Sequence, residues 1–118
     1  MSTDNGGETA KAKLTVEVES FRAHRSGTLY GFATVFIPEL HLRIVDCPIH
    51  EKNGQRWTGL PAKPQVTKEG GVRRDERGKT LYATVIEFTD KATREAFSAR
   101  AIAALLARFP LAFDEAAA

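Results

Sequence analysis

The dipeptide Asn53-Gly54 lies between two extended segments and is the feature that most constrains the fold. Asn-Gly in this setting is the strongest short-range signal for a two-residue β-hairpin turn, because both turn residues must adopt positive φ. Such a turn sets the register, so that Glu51 faces Arg56 and His50 faces Trp57. The sequence therefore predicts an antiparallel hairpin in which the only tryptophan lies opposite a histidine.

The two faces of this hairpin differ in polarity. Side chains alternate between the faces of a strand, so we assign the more uniformly apolar set to the core. That set comprises Val45, Cys47, Ile49 and Leu60. His50 and Trp57 share the opposite, mixed face with Asp46, and the role of the tryptophan depends on whether that face is covered.

Further strands are predicted on both sides of the hairpin. Apolar and polar residues alternate from Leu14, and Phe21 breaks this phase, which indicates a bulge or strand end near Ser20. Residues 28–37 are apolar at both odd and even positions, which is typical of a central strand covered on both sides. Residues 80–88 form another run rich in β-branched and aromatic side chains.

One long helix is predicted after the strands. Asp90, or Thr89 as the alternative, is suited to cap its N-terminus, and Pro110 ends it. A broad apolar stripe at helical spacing indicates the face that packs on the sheet. The stripe comprises Phe97, Ala101, Ile102, Leu105, Leu106 and Phe109.

The chain of 118 residues has the length of one domain. The order of its elements predicts a single small α+β domain over residues 12–110, in which an antiparallel sheet of four or five strands is followed by one long C-terminal α-helix. We expect residues 1–11 to form a disordered tail and residues 111–118 a flexible one. A single helix leaves the other face of the sheet in need of a cover or a ligand.

The composition favours a cytoplasmic protein without membrane contact. The single cysteine excludes an intramolecular disulfide, so nothing indicates an oxidising compartment. No apolar segment approaches the length of about 20 residues that a membrane span needs. The N-terminal sequence also lacks the basic and apolar parts of a signal peptide.

The positive charge is concentrated in residues 61–79. The whole chain carries a net charge of +2, whereas this segment has six basic against three acidic residues. A connection of this length is usually functional or disordered, and lysines and arginines on a glycine-containing loop suit phosphate contacts. Trp57, Tyr30 and Tyr82 are candidates for stacking on exposed bases. A solvated loop with core-facing aromatics is an equally good interpretation.

No catalytic or metal centre is indicated. Cys47 and His50 are three residues apart in a strand and therefore point to opposite faces, whereas a closed zinc site needs four ligands. Cys47 has no helix N-terminus to activate its thiol. Neither a nucleophile elbow nor a phosphate-binding loop motif is present. We therefore predict a non-enzyme that uses no cofactor, metal or small-molecule substrate.

Several short motifs follow one another in and around the hairpin. They are, in order, Ile44-Val-Asp46, Ile49, Asn53-Gly54, Trp57, Leu60-Pro61 and Lys63. This order resembles the SpoVG family (stage V sporulation protein G, septation regulator). Residues 31–37 are similar to the family's second strand, and residues 86–90 with Arg94, Phe97 and the terminal helix to its C-terminal part. The resemblance extends over most of residues 14–110, but extra arginines in residues 73–77 and both tails indicate a divergent member.

The resemblance implies a homodimeric bacterial regulator that binds DNA or RNA, with contacts at Lys63 and, less directly, at Lys68. Together with the charge distribution it yields one set of predicted nucleic-acid-binding residues. The set comprises Lys63, Lys68, Arg73, Arg74, Arg77, Lys79, Arg56 and Trp57. Two alternatives stay open. Strands followed by a helix also look like the PC4-type single-strand-binding coactivators, and a protein-interaction module would pair through an edge strand or the alanine-rich helix face.

Overall fold

The computed structural model describes residues 14–114 as six strands, one short 3-10 helix and one long helix. In chain order these are β1 (Glu17–Ser26), β2 (Leu29–Ile37), the 3-10 helix (Pro38–Leu40), β3 (Leu42–Lys52), β4 (Gln55–Thr58), β5 (Ala62–Pro64), β6 (Tyr82–Thr84) and α1 (Lys91–Arg108). Strands β1 to β4 form an antiparallel sheet in sequential order, and β5 pairs with β6 in a second, small sheet. The predicted α+β class is confirmed. The predicted N-terminal tail lies outside the described residues.

The hairpin of β3 and β4 has the predicted register. Glu51 pairs with Arg56 and His50 with Trp57. Asn53 and Gly54 both have positive φ, at 53° and 82°. The Arg56 Nε donates to Glu51 Oε2 at 3.2 Å, so the expected cross-strand charge pair also forms.

One residue of the hairpin was assigned to the wrong face. Val45 was predicted to lie in the core, but it is 56% exposed. The cause is a bulge in β3, where Ala33 pairs with Cys47 and Val35 with Ile44. Three steps along β3 therefore match two along β2, and Ile44 takes the position that packs against the core. A second register shift, between Val18 and Ser20 of β1, confirms the bulge predicted there.

The core lies between the main sheet and α1. The fully buried helix residues Phe97, Ala101 and Leu105 belong to the predicted stripe. They pack against buried sheet residues, namely Val18, Ala33, Val35, Ile37, Cys47 and Ile49. The Asp90 side chain caps α1 by accepting a hydrogen bond from Thr93 N at 2.8 Å. The helix ends at Arg108, two residues before Pro110, as predicted.

The segment after α1 is part of the core rather than the flexible tail that was predicted. Ala112 and Phe113 are buried, with exposures of 7% and 9%. The Phe113 ring packs against Tyr30 with a centroid distance of 5.4 Å, and the Arg56 guanidinium lies 4.4 Å from its centroid. A short turn after Pro110 thus returns an aromatic side chain to the sheet, as the hydrogen bond from Ala112 N to Phe109 O shows. Residues 115–118 lie outside the described part of the chain.

Candidate nucleic-acid interface

Residues 62–84, which we call the arm, form a hydrogen-bonded unit beside the main sheet. Its three short segments are residues 62–67, 71–75 and 79–84. The first and third pair as β5 and β6. A bridge between Val66 and Val72 joins the first to the second, and a bridge between Arg74 and Thr80 joins the second to the third. Each segment therefore pairs with both of the others.

A closed ring of three backbone hydrogen bonds lies where these segments meet. Gln65 N donates to Leu81 O at 2.8 Å, Leu81 N to Arg73 O at 2.9 Å, and Arg73 N to Gln65 O at 2.9 Å. Two turns project from this junction, over residues 67–71 and 75–79, and Gly70 and Gly78 supply the positive φ of 91° and 84° that they require. The predicted long loop is thus a two-turn structure with a defined register.

All six predicted cations of the arm are exposed, and none is paired with a carboxylate within residues 14–114. They are Lys63, Lys68, Arg73, Arg74, Arg77 and Lys79. Two of the guanidinium groups bond to neutral acceptors: Arg73 to Gln65 Oε1 at 3.2 Å, and Arg74 to Gly78 O at 3.1 Å. The full positive charge of the arm therefore faces solvent.

Asp75, which follows Arg74 in the sequence, bonds to the backbone rather than to these arginines. Asp75 Oδ1 accepts hydrogen bonds from Arg77 N at 2.8 Å and from Lys79 N at 2.9 Å. The carboxylate is thereby used to close the second turn, which is a common role of aspartate in turns. The basic side chains of the turn, those of Arg77 and Lys79, are exposed.

The other two predicted site residues, Arg56 and Trp57, lie on opposite faces of β4. Arg56 bonds to Glu51 and covers Phe113, so its guanidinium supports the sheet on the helix side. The Trp57 ring stacks on His50, with centroids 5.3 Å apart and planes inclined by 14°. Trp57 is 37% exposed. The structure therefore brings Trp57, but not Arg56, to an accessible surface beside the arm.

A groove of about 450 Å³ lies at the root of the arm, and Trp57 lines it. Leu60 and Pro61 form one wall, while Ile86 and Phe88 lie on the chain that returns from the arm. The first two turns of α1 close the groove. Charged side chains at its rim are Glu87, Arg94 and Glu95.

The sheet face opposite α1 is partly covered by ion pairs. Arg22 on β1 approaches Asp46 on β3 at 3.6 Å, and its guanidinium lies 5.0 Å from the ring centroid of Phe32 on the strand between them. Arg43 on β3 and Glu19 on β1 form a second pair of this kind. Both faces of β2 are thus covered, as its sequence indicated. Helix α1 covers one face, and these ion pairs cover part of the other.

The two tyrosines proposed for base stacking differ in accessibility. Tyr30 is held between Phe113 and the Arg25 guanidinium, which lies 3.7 Å from its ring centroid. Tyr82 is 60% exposed on β6. Sequence reasoning missed the exposed apolar residues of the arm beside Tyr82, although the alternation Ala62, Pro64, Val66 was a signal for them.

Cys47 and His50 do not share a site. Cys47 is completely buried, and burial together with the nearby Asp46 charge raises the pKa of its thiol to about 12. His50 lies on the other face, where burial lowers the pKa of its imidazole. Its Nδ1 is 2.9 Å from Thr28 Oγ1. Residues 14–114 contain no cluster of three or more metal-binding side chains.

Comparisons of the chain with protein-family models, curated proteins and solved structures found no match. The resemblance to SpoVG proteins therefore stays a prediction based on short motifs. Within the described residues, no helix combines the length and apolar character that crossing a membrane requires.

Proposed function

We propose that this protein is a nucleic-acid-binding regulator that acts as a homodimer, with phosphates contacted by the arm and bases by Trp57. One observation carries the proposal: six exposed cations lie on a hydrogen-bonded arm without carboxylate partners among the described residues. Three of the four arginines of the main sheet provide a contrast, because Arg22, Arg43 and Arg56 each lie beside an acidic side chain. The fourth, Arg25, packs on the Tyr30 ring instead.

Unpaired surface cations favour a polyanionic partner for a physical reason. Each phosphate that a lysine or arginine neutralises releases condensed counterions, and this release drives binding. A cation already paired with a carboxylate contributes less, since the internal pair must first be broken. The arm therefore presents the cationic surface best suited to DNA or RNA.

Trp57 would supply a base contact at the root of the arm, where it lines the groove together with Ala62 and Thr84. An indole that is already stacked on one side, here on His50, offers its accessible surface to an unpaired base. This feature favours single-stranded DNA or RNA as the ligand, in agreement with the single-strand-binding alternative considered from the sequence. The same arrangement is compatible with duplex binding through the arm alone.

Anisotropy titrations of labelled single- and double-stranded DNA and RNA at several salt concentrations test this proposal. About three phosphate contacts per chain would produce a log–log salt slope near −3 per chain. The variant Lys68→Ala/Arg77→Ala removes one cation from each turn of the arm, and neither side chain supports the junction. It should reduce the magnitude of the slope by about two per chain.

A matched control removes the same charge elsewhere. Arg25→Ala/Lys52→Ala changes two exposed cations outside the arm that also have no carboxylate partner among the described residues, and it should leave the slope nearly unchanged. If the slope falls equally in the arm variant and in the control, binding depends only on the net charge of the protein and not on the position of the cations in the arm. Absence of binding to every oligonucleotide at low salt would refute the proposal.

The second candidate function is a protein-interaction module with no nucleic-acid role, favoured by the exposed apolar side chains of the arm. The emission of Trp57 distinguishes the two candidates. A blue-shifted spectrum that no oligonucleotide alters would support the interaction module, whereas a change on titration with single-stranded oligonucleotides would support base contact.

A further inference from the structure

One face of the arm carries an exposed apolar stripe. Alternate residues of a strand share a face, and the pairing of Ala62 with Thr84 and of Pro64 with Tyr82 brings the matching side chains of β5 and β6 together. Val66 continues the same alternation and pairs with Val72. The exposed fractions are 65% for Val66, 41% for Val72 and 60% for Tyr82.

The stripe continues into the groove at the root of the arm. Ala62 and Thr84, at the inner end of the stripe, also line that groove. Ile86 in the groove wall is 50% exposed, and Val85 beside it is 62% exposed. A continuous apolar surface therefore runs from the groove to the first turn of the arm.

No residue from 59 to 96 is buried. Single exposed apolar side chains are common on protein surfaces, but a contiguous stripe that leads into a groove marks an interaction surface. The stripe consists of side chains rather than of unpaired backbone groups, so the partner that fits it supplies apolar side chains.

We propose that the partner is a second copy of this chain, and that two arms pack side by side in opposite directions. Val66 and Val72 of each copy then enter the root groove of the other, and Pro64 and Tyr82 lie near the two-fold axis. The stripe is about 13 Å long from Ala62 to Val66. Because one surface contains both the projecting end and the groove, a two-fold arrangement satisfies both copies at once.

Charge agrees with this arrangement. Lys68 lies in the first turn, two residues after Val66, and the rim of the groove that would receive it carries two carboxylates, Glu87 and Glu95, against one guanidinium, that of Arg94. Lys63 occupies the position between Ala62 and Pro64 and points to the opposite face of β5. The stripe is therefore covered in the dimer while that lysine stays accessible to a phosphate.

This inference rests on the homodimer of the proposed function and adds to its site, because the end of the partner's arm, which carries Lys68, lies in the groove that Trp57 lines. The indole ring itself stacks on His50 on the other face of β4 and stays available to a base. Light scattering with size-exclusion chromatography tests the assembly over a range of concentrations. The expected mass is about twice the 13.0 kDa of one chain. A monomer at every concentration overturns the inference.

Two double variants then locate the interface. Val66→Ser/Val72→Ser should raise the dimer dissociation constant about a hundredfold or more, since four valines per dimer lose an apolar contact. Val45→Ser/Leu111→Ser is the control, because these side chains are comparably exposed and lie outside the arm. A dimer that survives the arm variant, or that the control weakens equally, overturns the assignment.

A cross-linking experiment is independent of side-chain packing. Tyr82→Cys places a thiol near the proposed axis, and oxidation should convert the protein to a covalent dimer. Leu111→Cys is the control at 61% exposure, and the native Cys47 is buried. Cross-linking of both variants, or of neither, contradicts the proposed side-by-side packing of the two arms.

Oligonucleotide titrations of the wild type and of the Val66→Ser/Val72→Ser variant, combined with their measured masses, distinguish failure of this inference from failure of the proposed function. A wild-type protein that is monomeric but binds oligonucleotides overturns the proposed packing of the two arms and supports nucleic-acid binding. A dimer that depends on Val66 and Val72 but binds no oligonucleotide supports the proposed packing of the two arms and refutes the proposed nucleic-acid binding.

Discussion

Arg43 on β3 and Glu19 on β1 form a two-point ion pair across the central strand, with distances of 2.5 Å from Nε to Oε1 and 3.0 Å from Nη2 to Oε2. The guanidinium lies 5.6 Å from the ring centroid of Phe36 on β2. The pair thus connects two strands that are not neighbours and covers part of the sheet face that α1 leaves open. Its hydrogen bonds lower the pKa of the Glu19 carboxyl from the ordinary value of 4.5.

This lowered pKa predicts a loss of stability in acid. Below pH 4.5 the unfolded chain takes up a proton at Glu19 while the folded protein still resists it. The stabilisation is therefore complete above that value and disappears as the pH falls through the lower pKa of the folded state. Glu39, whose pKa is lowered by hydrogen bonds from Thr15, contributes in the same direction.

Thermal melts between about pH 7 and about pH 3 measure the effect. Glu19→Gln should flatten part of the acid-induced fall in melting temperature. Glu76→Gln, an exposed change on the arm, is the control and should reproduce the wild-type profile. An unchanged profile in Glu19→Gln would show that the ion pair does not contribute to stability.

Removal of the Phe113 ring should destabilise the protein, although the residue lies near the C-terminus. Phe113→Ala opens space beside Tyr30 and leaves the Arg56 guanidinium without its ring, so we expect a loss of about 3 kcal/mol in the free energy of unfolding. Leu111→Ala, at 61% exposure, should change it by less than about 0.5 kcal/mol. Urea denaturation compares the two, and equal effects would argue against packing of the C-terminal turn.

Local signals made most of the main domain predictable. Asn53-Gly54 determines a turn and hence a register, and Asp90 with Pro110 delimits the helix. Phe113 was missed because a single aromatic residue after a proline has no periodicity, and only the tertiary fold returns it to the sheet. Val45 was missed because alternation is lost at a bulge, which the positive φ of Asp46, 62°, accompanies.

The candidate site was predictable in charge but not in geometry. Counting lysines and arginines located the basic segment, yet no count distinguishes Arg56, which pairs with Glu51, from Arg77, which has no such partner among the described residues. The ring through Gln65, Arg73 and Leu81 was also beyond sequence reasoning. Each segment of the arm is too short to determine a register on its own, and the register arises only when all three segments meet.

The N-cap of α1 can be tested against its neighbour. Asp90 Oδ2 accepts hydrogen bonds from both the backbone N–H and the hydroxyl of Thr93, each at 2.8 Å. Asp90→Ala should therefore lower the free energy of unfolding by about 1 kcal/mol. Thr89→Ala, the alternative cap considered from the sequence, should cost less than about 0.5 kcal/mol. The reverse order in urea titrations would assign the cap to Thr89.

The arm should open without unfolding the core. Leu81→Pro removes the N–H that donates to Arg73 O at 2.9 Å and so breaks the ring, whereas Leu81→Ala retains it. Tryptic cleavage after the arm arginines should be about fivefold faster or more in the proline variant. Its melting temperature should stay close to that of Leu81→Ala, because no residue from 59 to 96 is buried. A cooperative loss of the whole fold would contradict this independence.

The stack of His50 on Trp57 predicts a change in histidine titration. Burial lowers the pKa of the His50 imidazole from its ordinary value of 6.5, because a partly dry environment disfavours the charged ring. Trp57→Ala removes the ring that covers one side of the imidazole, so the titration midpoint should rise towards 6.5. Trp57→Phe keeps an aromatic cover and should leave the midpoint closer to that of the wild type. Nuclear magnetic resonance of the His50 ring protons measures all three proteins, and an unchanged midpoint in Trp57→Ala would assign the burial to other neighbours of His50.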